Sequence, residues 1–320
     1  MSLARNALSL LATTAVITPI RLLVVIVLAR LLSPEQLGVY SITMTFAAIS
    51  MLTLQAGLPS SAIYRIRRLE QPASQVACSV FTTSLLLGGI GACALLLAEP
   101  LIGGRILPPD SGTIYRLGIS IAFLQLVGSS FVGVARGIDR FDSANIYRVV
   151  VSVGQLAGLT TVLAFFSARS VDALSVVAVV HFLAATLLVV SVARMTGFRI
   201  QGYFAQLGPS LRYGVKSHAQ ALAGNLHEQI DVFMLAYLLT DPSQIAIYAI
   251  AIGVLNRLKL IPLALADALF PEVAGRSDEE GAALAARATR HGLLGVSLVA
   301  VGIAVLAPVL VPLAFGETYR

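Results

Sequence analysis

Runs of about 20 apolar residues follow one another along the whole chain, separated by short polar stretches. A run of this length crosses roughly 30 Å of hydrocarbon when it is helical. The runs lack the alternation of polar and apolar residues that marks the strands of a membrane barrel. Because backbone inside lipid must satisfy its own hydrogen bonds, the pattern predicts a bundle of bilayer-spanning α-helices.

The boundaries of the apolar runs define the expected fold, an all-α polytopic membrane protein with about nine transmembrane helices. The composition agrees, since hydrophobic residues make up 57% of the chain and charged residues 12%, which is far from the balance of a soluble domain. No connection between the runs is long enough for a separate soluble domain. We place the spans at residues 7–32, 37–64, 76–98, 115–135, 145–166, 173–192, 213–239, 245–270 and 293–315.

The arginines fall unevenly on the two sides that these spans define. Short cytoplasmic loops retain positive charge, so the richer side predicts the cytoplasm and gives a cytoplasmic N-terminus. The net charge of +6 comes from basic residues scattered singly, which argues against nucleic acid as a partner. The poorer side holds Arg30, Arg105, Arg116 and Arg169, and the richer side holds Arg5, Arg65, Arg67, Arg68, Arg136, Arg140, Arg148, Arg194, Arg199, Arg212, Arg276, Arg287 and Arg290.

An internal repeat links the first and the seventh predicted helices. The sequence LARLLSPEQLGVYSI from Leu28 matches LAYLLTDPSQIAIYAI from Leu235 once Asp241 is treated as an insertion. The spacing predicts two parallel six-helix repeats, residues 1–200 and 201–320, of which the second is incomplete, and we expect a chain truncated from a longer protein. Two further pairs match in the same order: Leu58-Pro59 with Phe270-Pro271, where each proline is expected to end a helix, and PLIGG from Pro100 with PLAFG from Pro312.

Four stretches resemble a known family of membrane proteins: ARLLSPEQLGVYSI, ARGIDRFDSANIYR from Ala135, DVFMLAYLL from Asp231, and LFPEVA from Leu269. They are similar to the polysaccharide-transport branch, the Wzx-type O-antigen flippases, of the multidrug/oligosaccharidyl-lipid/polysaccharide exporter superfamily. The resemblance implies two six-helix lobes around a central cavity in the bacterial cytoplasmic (inner) membrane. It also implies that the protein moves a lipid-linked oligosaccharide, carried on undecaprenyl diphosphate, across the membrane for the synthesis of lipopolysaccharide and other cell-surface polysaccharides. Polysaccharide polymerase and assembly proteins are the partners that it implies. The family normally has twelve or more helices, which this chain does not reach.

Two arginines lie deep inside predicted spans and are the first candidates for binding an anionic substrate. Arg21 and Arg257 each lie roughly 17 Å from a membrane face by helical rise. An arginine facing lipid at that depth costs on the order of 3 kcal/mol, so both should face the bundle or a wet cavity. A guanidinium there could give paired hydrogen bonds to a diphosphate, or could form a structural ion pair with an intramembrane carboxylate. Lys259 is a weaker candidate because two residues of helix turn it away from Arg257.

The predicted seventh helix is unusually polar for a membrane span. Asn225 shares an arc with Glu228, which indicates a helix between a cavity and a neighbouring helix, and we count Asn225 among the substrate-binding candidates. Glu228 and Asp231 could bind a coupling proton or cation, or could serve as static partners for Arg21. The polar residues of this span are His218, Asn225, His227, Glu228, Gln229 and Asp231.

Several other kinds of chemistry find little support in the sequence. His227 and Asp231 lack a third ligand at a useful spacing for a metal, and no glycine-rich loop is suited to bind a nucleotide, so no cofactor is expected. His181 is expected to be a hydrogen-bonded packing residue, with a proton relay as the alternative. A transporter rather than an enzyme is therefore the first hypothesis. Its rivals are a drug/cation antiporter of the same superfamily, a membrane glycosyltransferase or polymerase, and a transport-inactive assembly scaffold.

Overall fold

The computed structural model describes residues 3–197, 214–215, 218–219, 222–224, 226–227, 229–258 and 278–319. Helices and the turns between them account for these residues, and no strand occurs among them, which confirms the all-α fold. Seven of the described helical segments are long and apolar enough to cross a membrane. The chain divides into two compact units, Met1–Ala246 and Ile247–Arg320.

The described helices are numbered here in chain order. One candidate membrane span, Pro34–Arg67, is interrupted in its second half. A single 3₁₀ turn, Glu317–Tyr319, follows the last helix. The helices are α1 (Leu3–Leu31), α2 (Pro34–Gln55), α3 (Leu58–Arg67), α4 (Ala73–Leu97), α5 (Glu99–Ile106), α6 (Gly112–Gly137), α7 (Phe141–Phe165), α8 (Ser170–Thr196), α9 (Ile230–Leu238), α10 (Pro242–Leu258) and α11 (Asp278–Phe315).

The two matching stretches of the sequence begin their helices in the same way. At α2, the Ser33 hydroxyl accepts a hydrogen bond from the backbone N–H of Gln36 at 3.3 Å, and Pro34 is the first helical residue. At α10, a carboxylate oxygen of Asp241 accepts from the backbone N–H of Ser243 at 2.9 Å, and proline again opens the helix. A short polar cap followed by proline is a strong helix start, and both stretches have one.

Polar contacts between the described helices of the first unit occur at each end of the bundle. At one end, the amide of Asn145 near the start of α7 donates to the hydroxyl of Ser9 near the start of α1, at 2.9 Å. At the same end, Arg67 of α3 forms an ion pair with Asp139 in the turn between α6 and α7. We call this end, where α1, α4 and α7 begin and α3, α6 and α8 finish, the arginine-rich end.

The opposite end of the first unit is held by a second set of polar contacts. The side-chain oxygen of Gln36 in α2 accepts from the backbone N–H of Ser170, the first residue of α8, at 2.7 Å. Near the start of α6, Arg116 forms an ion pair with Glu99 of α5 at 3.4 Å. Successive long helices therefore run in opposite directions, as the alternation of arginine content predicts.

The structure adds a break and a short helix to the elements expected from the sequence. The span predicted at 37–64 is interrupted at Ala56 and Gly57, whose φ angles of 44° and 70° are left-handed. Pro59, expected to end a helix, lies instead in the first turn of α3, where a missing N–H costs no helical bond. α5 is a short helix that was not predicted, because it does not coincide with a long apolar run. α11 begins at Asp278, well before the predicted boundary at 293.

Candidate functional site

Arg21 occupies an unusual place on the surface of α1. Ile17, Val24 and Leu28 are buried and lie on one face of the helix at spacings of three and four residues, and Arg21 belongs to the same face. The Arg21 side chain is nevertheless exposed. It lies nine residues from the start of the candidate span Ala12–Leu31, which is about 14 Å of helical rise. The packed face of α1 therefore opens near mid-span, at the position of a positive charge.

His181 of α8 lies within electrostatic range of Arg21 and is itself buried. Its Nδ1 is 2.9 Å from the carbonyl oxygen of Val177, so this nitrogen carries the hydrogen and donates. Its Nε2 is 3.4 Å from the amide nitrogen of Gln125 in α6, which then donates to the imidazole. Both ring nitrogens have partners in the neutral form, which is how a packing histidine behaves.

Two further polar side chains meet next to Gln125. The amide nitrogen of Gln55, the last residue of α2, donates to the hydroxyl of Ser129 at 2.8 Å. Ser129 lies one turn beyond Gln125 on the same face of α6 and donates in turn to the carbonyl of Leu126 at 3.1 Å. Four helices thus contribute amide, hydroxyl, imidazole and guanidinium groups to one part of the apolar bundle, where the imidazole is buried and the Arg21 side chain is exposed. We call this set the polar band; its members are Arg21, Gln55, Gln125, Ser129 and His181.

The break between α2 and α3 adjoins the predicted seventh span. His218 is buried, and its Nε2 donates to the carbonyl oxygen of Leu52 at 2.7 Å. The backbone of Gly57 lies against the backbone of Gly214, so closely that a Cβ on either residue would overlap the other chain. A helix end leaves carbonyl groups without helical partners, and one near this break is bound by a side chain from a distant part of the sequence.

The residues predicted for the site are only partly placed by the structure. Asp231 lies in the first turn of α9, where its carboxylate accepts from the backbone N–H of Val232 at 2.8 Å, a favourable position for a negative charge. Arg257 belongs to the last turn of α10, and its side chain lies outside the described residues. Outside the described residues also lie Asn225, Glu228 and Lys259.

Sequence reasoning found Arg21 and His181 of the polar band and missed its two amides and its hydroxyl. Gln55, Gln125 and Ser129 stand alone in apolar runs, and single amides and hydroxyls carry no spacing that marks a site. The available signal was the separation of four residues between Gln125 and Ser129, which puts both on one face of α6. Among the described residues, no three His, Cys, Asp or Glu side chains are grouped as metal ligands would be.

The chain is similar to known proteins at two levels. Residues 27–320 match the family described as polysaccharide biosynthesis protein. No curated relative matches the chain. A solved structure titled as the inward-facing conformation of a multidrug resistance MATE family transporter of the MOP superfamily has a TM-score of 0.66, with 17% sequence identity over 95% of this chain and 74% of that one. At this identity the likeness concerns the fold.

These similarities agree with the multi-pass helical architecture and with the exporter superfamily expected from the sequence motifs. The MOP superfamily is the multidrug/oligosaccharidyl-lipid/polysaccharide group of membrane transporters, and the family match covers nearly the entire chain. This protein belongs to the polysaccharide biosynthesis protein family and has the fold of a membrane transporter of the MOP superfamily.

Proposed function

We propose that the protein is a flippase, which moves an oligosaccharide linked to undecaprenyl diphosphate across the bacterial cytoplasmic membrane for cell-surface polysaccharide export. The observation that supports this most directly is the opening in the packed face of α1 at Arg21. A positive charge at mid-span, on the face of α1 that carries the buried residues, suits an anionic group in transit.

The polar band offers the chemistry that such a substrate needs. The Arg21 guanidinium can give two parallel hydrogen bonds to oxygens of a diphosphate. The amides of Gln55 and Gln125 and the hydroxyl of Ser129 are the groups that bind sugar hydroxyls. In this proposal the polyprenyl tail stays in the lipid while the headgroup passes through the protein.

Transport requires that the site face the two membrane surfaces in turn. We assign residues 1–200 and 201–320 to two lobes that rock against each other, the second of which belongs to a larger six-helix repeat. Arg257, Lys259 and Asn225 would complete the anion site from the second lobe. Glu228 and Asp231 would bind a coupling proton or cation, because the proton affinity of a buried carboxylate changes with its access to water.

The main rival is an antiporter for cationic drugs, suggested by the multidrug transporter that shares the fold. A cationic substrate needs acidic and aromatic groups around it. The described polar band contains an arginine, an imidazole, two amides and a hydroxyl, and none of its members is acidic. This charge balance favours an anionic substrate.

Leaflet exchange in proteoliposomes tests the proposal. The chain is reconstituted with a fluorescent undecaprenyl-diphosphate sugar, and the fraction of probe reaching the far leaflet is followed over time. Removing one charge-assisted contact by Arg21→Ala should slow exchange by about tenfold or more, and Arg21→Lys should slow it less. Arg30→Ala is the control, since it removes an arginine near the end of the same helix.

Five outcomes separate the hypotheses. Exchange of the lipid probe that Arg21→Ala slows, with Arg30→Ala unaffected, supports the flippase. Exchange that is indifferent to Arg21→Ala removes the leading site. Uptake of a cationic dye in place of the lipid indicates the antiporter. Elongation of the sugar without leaflet exchange indicates a glycosyltransferase or polymerase, and neither activity in any variant indicates a scaffold.

A further inference from the structure

Two arginines, Arg136 and Arg148, lie at the arginine-rich end of the first unit. Arg136 is one residue from the end of α6, and Arg148 lies two turns inside α7. Both side chains are half-buried, and they lie within electrostatic range of each other. The sequence counts Arg148 among the arginines that orient the protein and places it near the start of the predicted span 145–166, and the structure places it on α7.

Within the described chain, neither guanidinium forms a hydrogen bond or an ion pair. The acid nearest in sequence to Arg136 is Asp139, and its carboxylate pairs with Arg67. Asp142 is exposed in the first turn of α7, about 9 Å of helical rise away from Arg148. Two like charges that share a partly buried place repel each other, and a bound anion would offset that repulsion.

The buried hydroxyl of Ser152 lies one turn after Arg148 in α7. Asn145, Arg148 and Ser152 lie on one face of α7 at spacings of three and four residues. Ser152 is 1% exposed, and its hydroxyl has no hydrogen-bond partner among the described residues. A buried hydroxyl without a partner is costly, and an oxygen-rich ligand beside Arg148 would give it an acceptor.

We propose that Arg136 and Arg148 form a phosphate-binding site at the arginine-rich end of the first lobe. The ligand class is a phosphate or diphosphate ester, since two guanidinium groups can hold several phosphate oxygens at once. Resting on the flippase proposal, we assign this site to the diphosphate of the lipid carrier before it reaches Arg21.

The arrangement of α6 supports a route between the two sites. Gln125 and Ser129 of the polar band and Arg136 lie on one face of α6, at spacings of four and seven residues. An anion held at Arg136 is thus on the same helix face as the polar groups deeper in the bundle. The first site would gather the headgroup, and the second would carry it through mid-span.

Binding can be measured without transport, which separates this proposal from the flippase. The full chain in detergent is titrated with geranylgeranyl diphosphate. The chain has no tryptophan, so a thiol-reactive dye is used to follow thermal unfolding, and the shift in melting temperature reports binding. Arg136→Gln and Arg148→Gln should each weaken the apparent affinity by about tenfold. Arg136→Lys and Arg148→Lys keep the charge and should weaken it less. Arg194→Gln, an exposed arginine in the last turn of α8, is the control.

Competitors distinguish the sources of phosphate. Inorganic diphosphate should displace the probe only weakly if the carrier is the ligand, and equal displacement would show that the site binds free anions. Displacement by phosphatidylglycerol micelles but not by undecaprenyl diphosphate would identify a phospholipid site and overturn the assignment to the carrier.

Three results decide the remaining cases. Unchanged affinity in both glutamine variants, with normal melting in the absence of probe, overturns the site. Weakened binding in a protein that exchanges no lipid leaves the site standing and removes the flippase. Lipid exchange that persists while the glutamine variants bind like the parent leaves the flippase standing and removes the site.

Discussion

Arg65 has one of the most fully buried side chains of the protein, with 1% of its surface exposed near the end of α3. Its Nε donates to the side-chain oxygen of Gln71 at 2.8 Å, and one terminal nitrogen donates to the hydroxyl of Ser79 at 3.1 Å. The Arg65 guanidinium of α3 therefore stabilises the connection between α3 and α4 by binding one residue of that connection and one residue of α4. Its neighbour Arg67 is exposed and pairs with Asp139 across the surface.

Replacing these two arginines should separate a structural role from a surface one. Arg65→Ala leaves Gln71 and Ser79 without their donor and should destabilise the fold by about 2 to 3 kcal/mol. Arg67→Ala removes an exposed ion pair and should cost less than about 1 kcal/mol. Thermal melting of both variants in the same detergent measures the difference. Equal melting temperatures would show that burial of Arg65 does not stabilise the connection.

For single residues, the sequence shows where a charge lies along the chain but not whether the side chain is buried or exposed. Arg21 stands out as a candidate site residue in the sequence because an arginine inside an apolar run is rare and costly. Arg65 could not be distinguished from the other loop arginines that orient the protein, since the composition around all of them is similar. What separates them is which helix face they occupy, and this depends on packing between residues far apart in the chain.

The break between α2 and α3 has an irregular backbone. Ala56 and Gly57 both have left-handed backbone angles, and a non-glycine residue rarely adopts them. Gly57 also contacts the backbone of Gly214, so glycine is required there for two reasons. The carbonyl of Leu52 near the break is held by His218, which ties the interruption to the predicted seventh span.

Adding one methyl group at the break should therefore be costly. Gly57→Ala places a Cβ on a left-handed residue and against a second backbone, and should destabilise the protein by about 2 kcal/mol or more. Gly89→Ala is the matched control, because Gly89 is exposed within α4 with open space around it. Alanine favours the helix, so that variant should melt at the same or a higher temperature. A Gly57→Ala protein as stable as the parent would contradict a close-packed break.

The elements themselves were largely predictable, because a lipid-spanning helix leaves a long apolar run that few other structures share. The predicted spans at 7–32, 76–98 and 115–135 correspond to α1, α4 and α6 within a few residues. The break was not predictable in the same way. The sequence QAGLP around it also fits an ordinary helix end, and only the contact with Gly214 and His218 distinguishes the two.

In the molecule as a whole, the two turns that match in the sequence also meet in space. The backbone of Gly38 in α2 lies against Pro242 at the start of α10, leaving no room for a side chain at Gly38. Five residues before Pro242, the hydroxyl of Tyr237 in α9 accepts a hydrogen bond from Arg105 of α5 at 2.9 Å. The Arg105 guanidinium lies 5.8 Å from the centre of the Tyr237 ring. These contacts join the proposed first lobe to the proposed second lobe, at the end opposite the arginine-rich one.

If the two lobes rock during transport, these contacts must separate whenever that end opens. A covalent link between α5 and α9 should then stop the cycle without touching the polar band. The test uses Arg105→Cys with Tyr237→Cys in a chain whose native thiols are removed by Cys78→Ser and Cys93→Ser. A reducible bifunctional thiol reagent bridges the pair in proteoliposomes, and leaflet exchange of the lipid probe is measured before and after.

We expect bridging to slow exchange by at least about tenfold, because an opening movement that is blocked removes the competent state from the cycle. Reduction of the bridge should restore the rate. Gln36→Cys with Ser170→Cys is the control, since both residues belong to the first lobe and should move together. Exchange that continues in the bridged Arg105 and Tyr237 pair would show that α5 and α9 stay joined during transport, and the movement would then have to occur at another boundary.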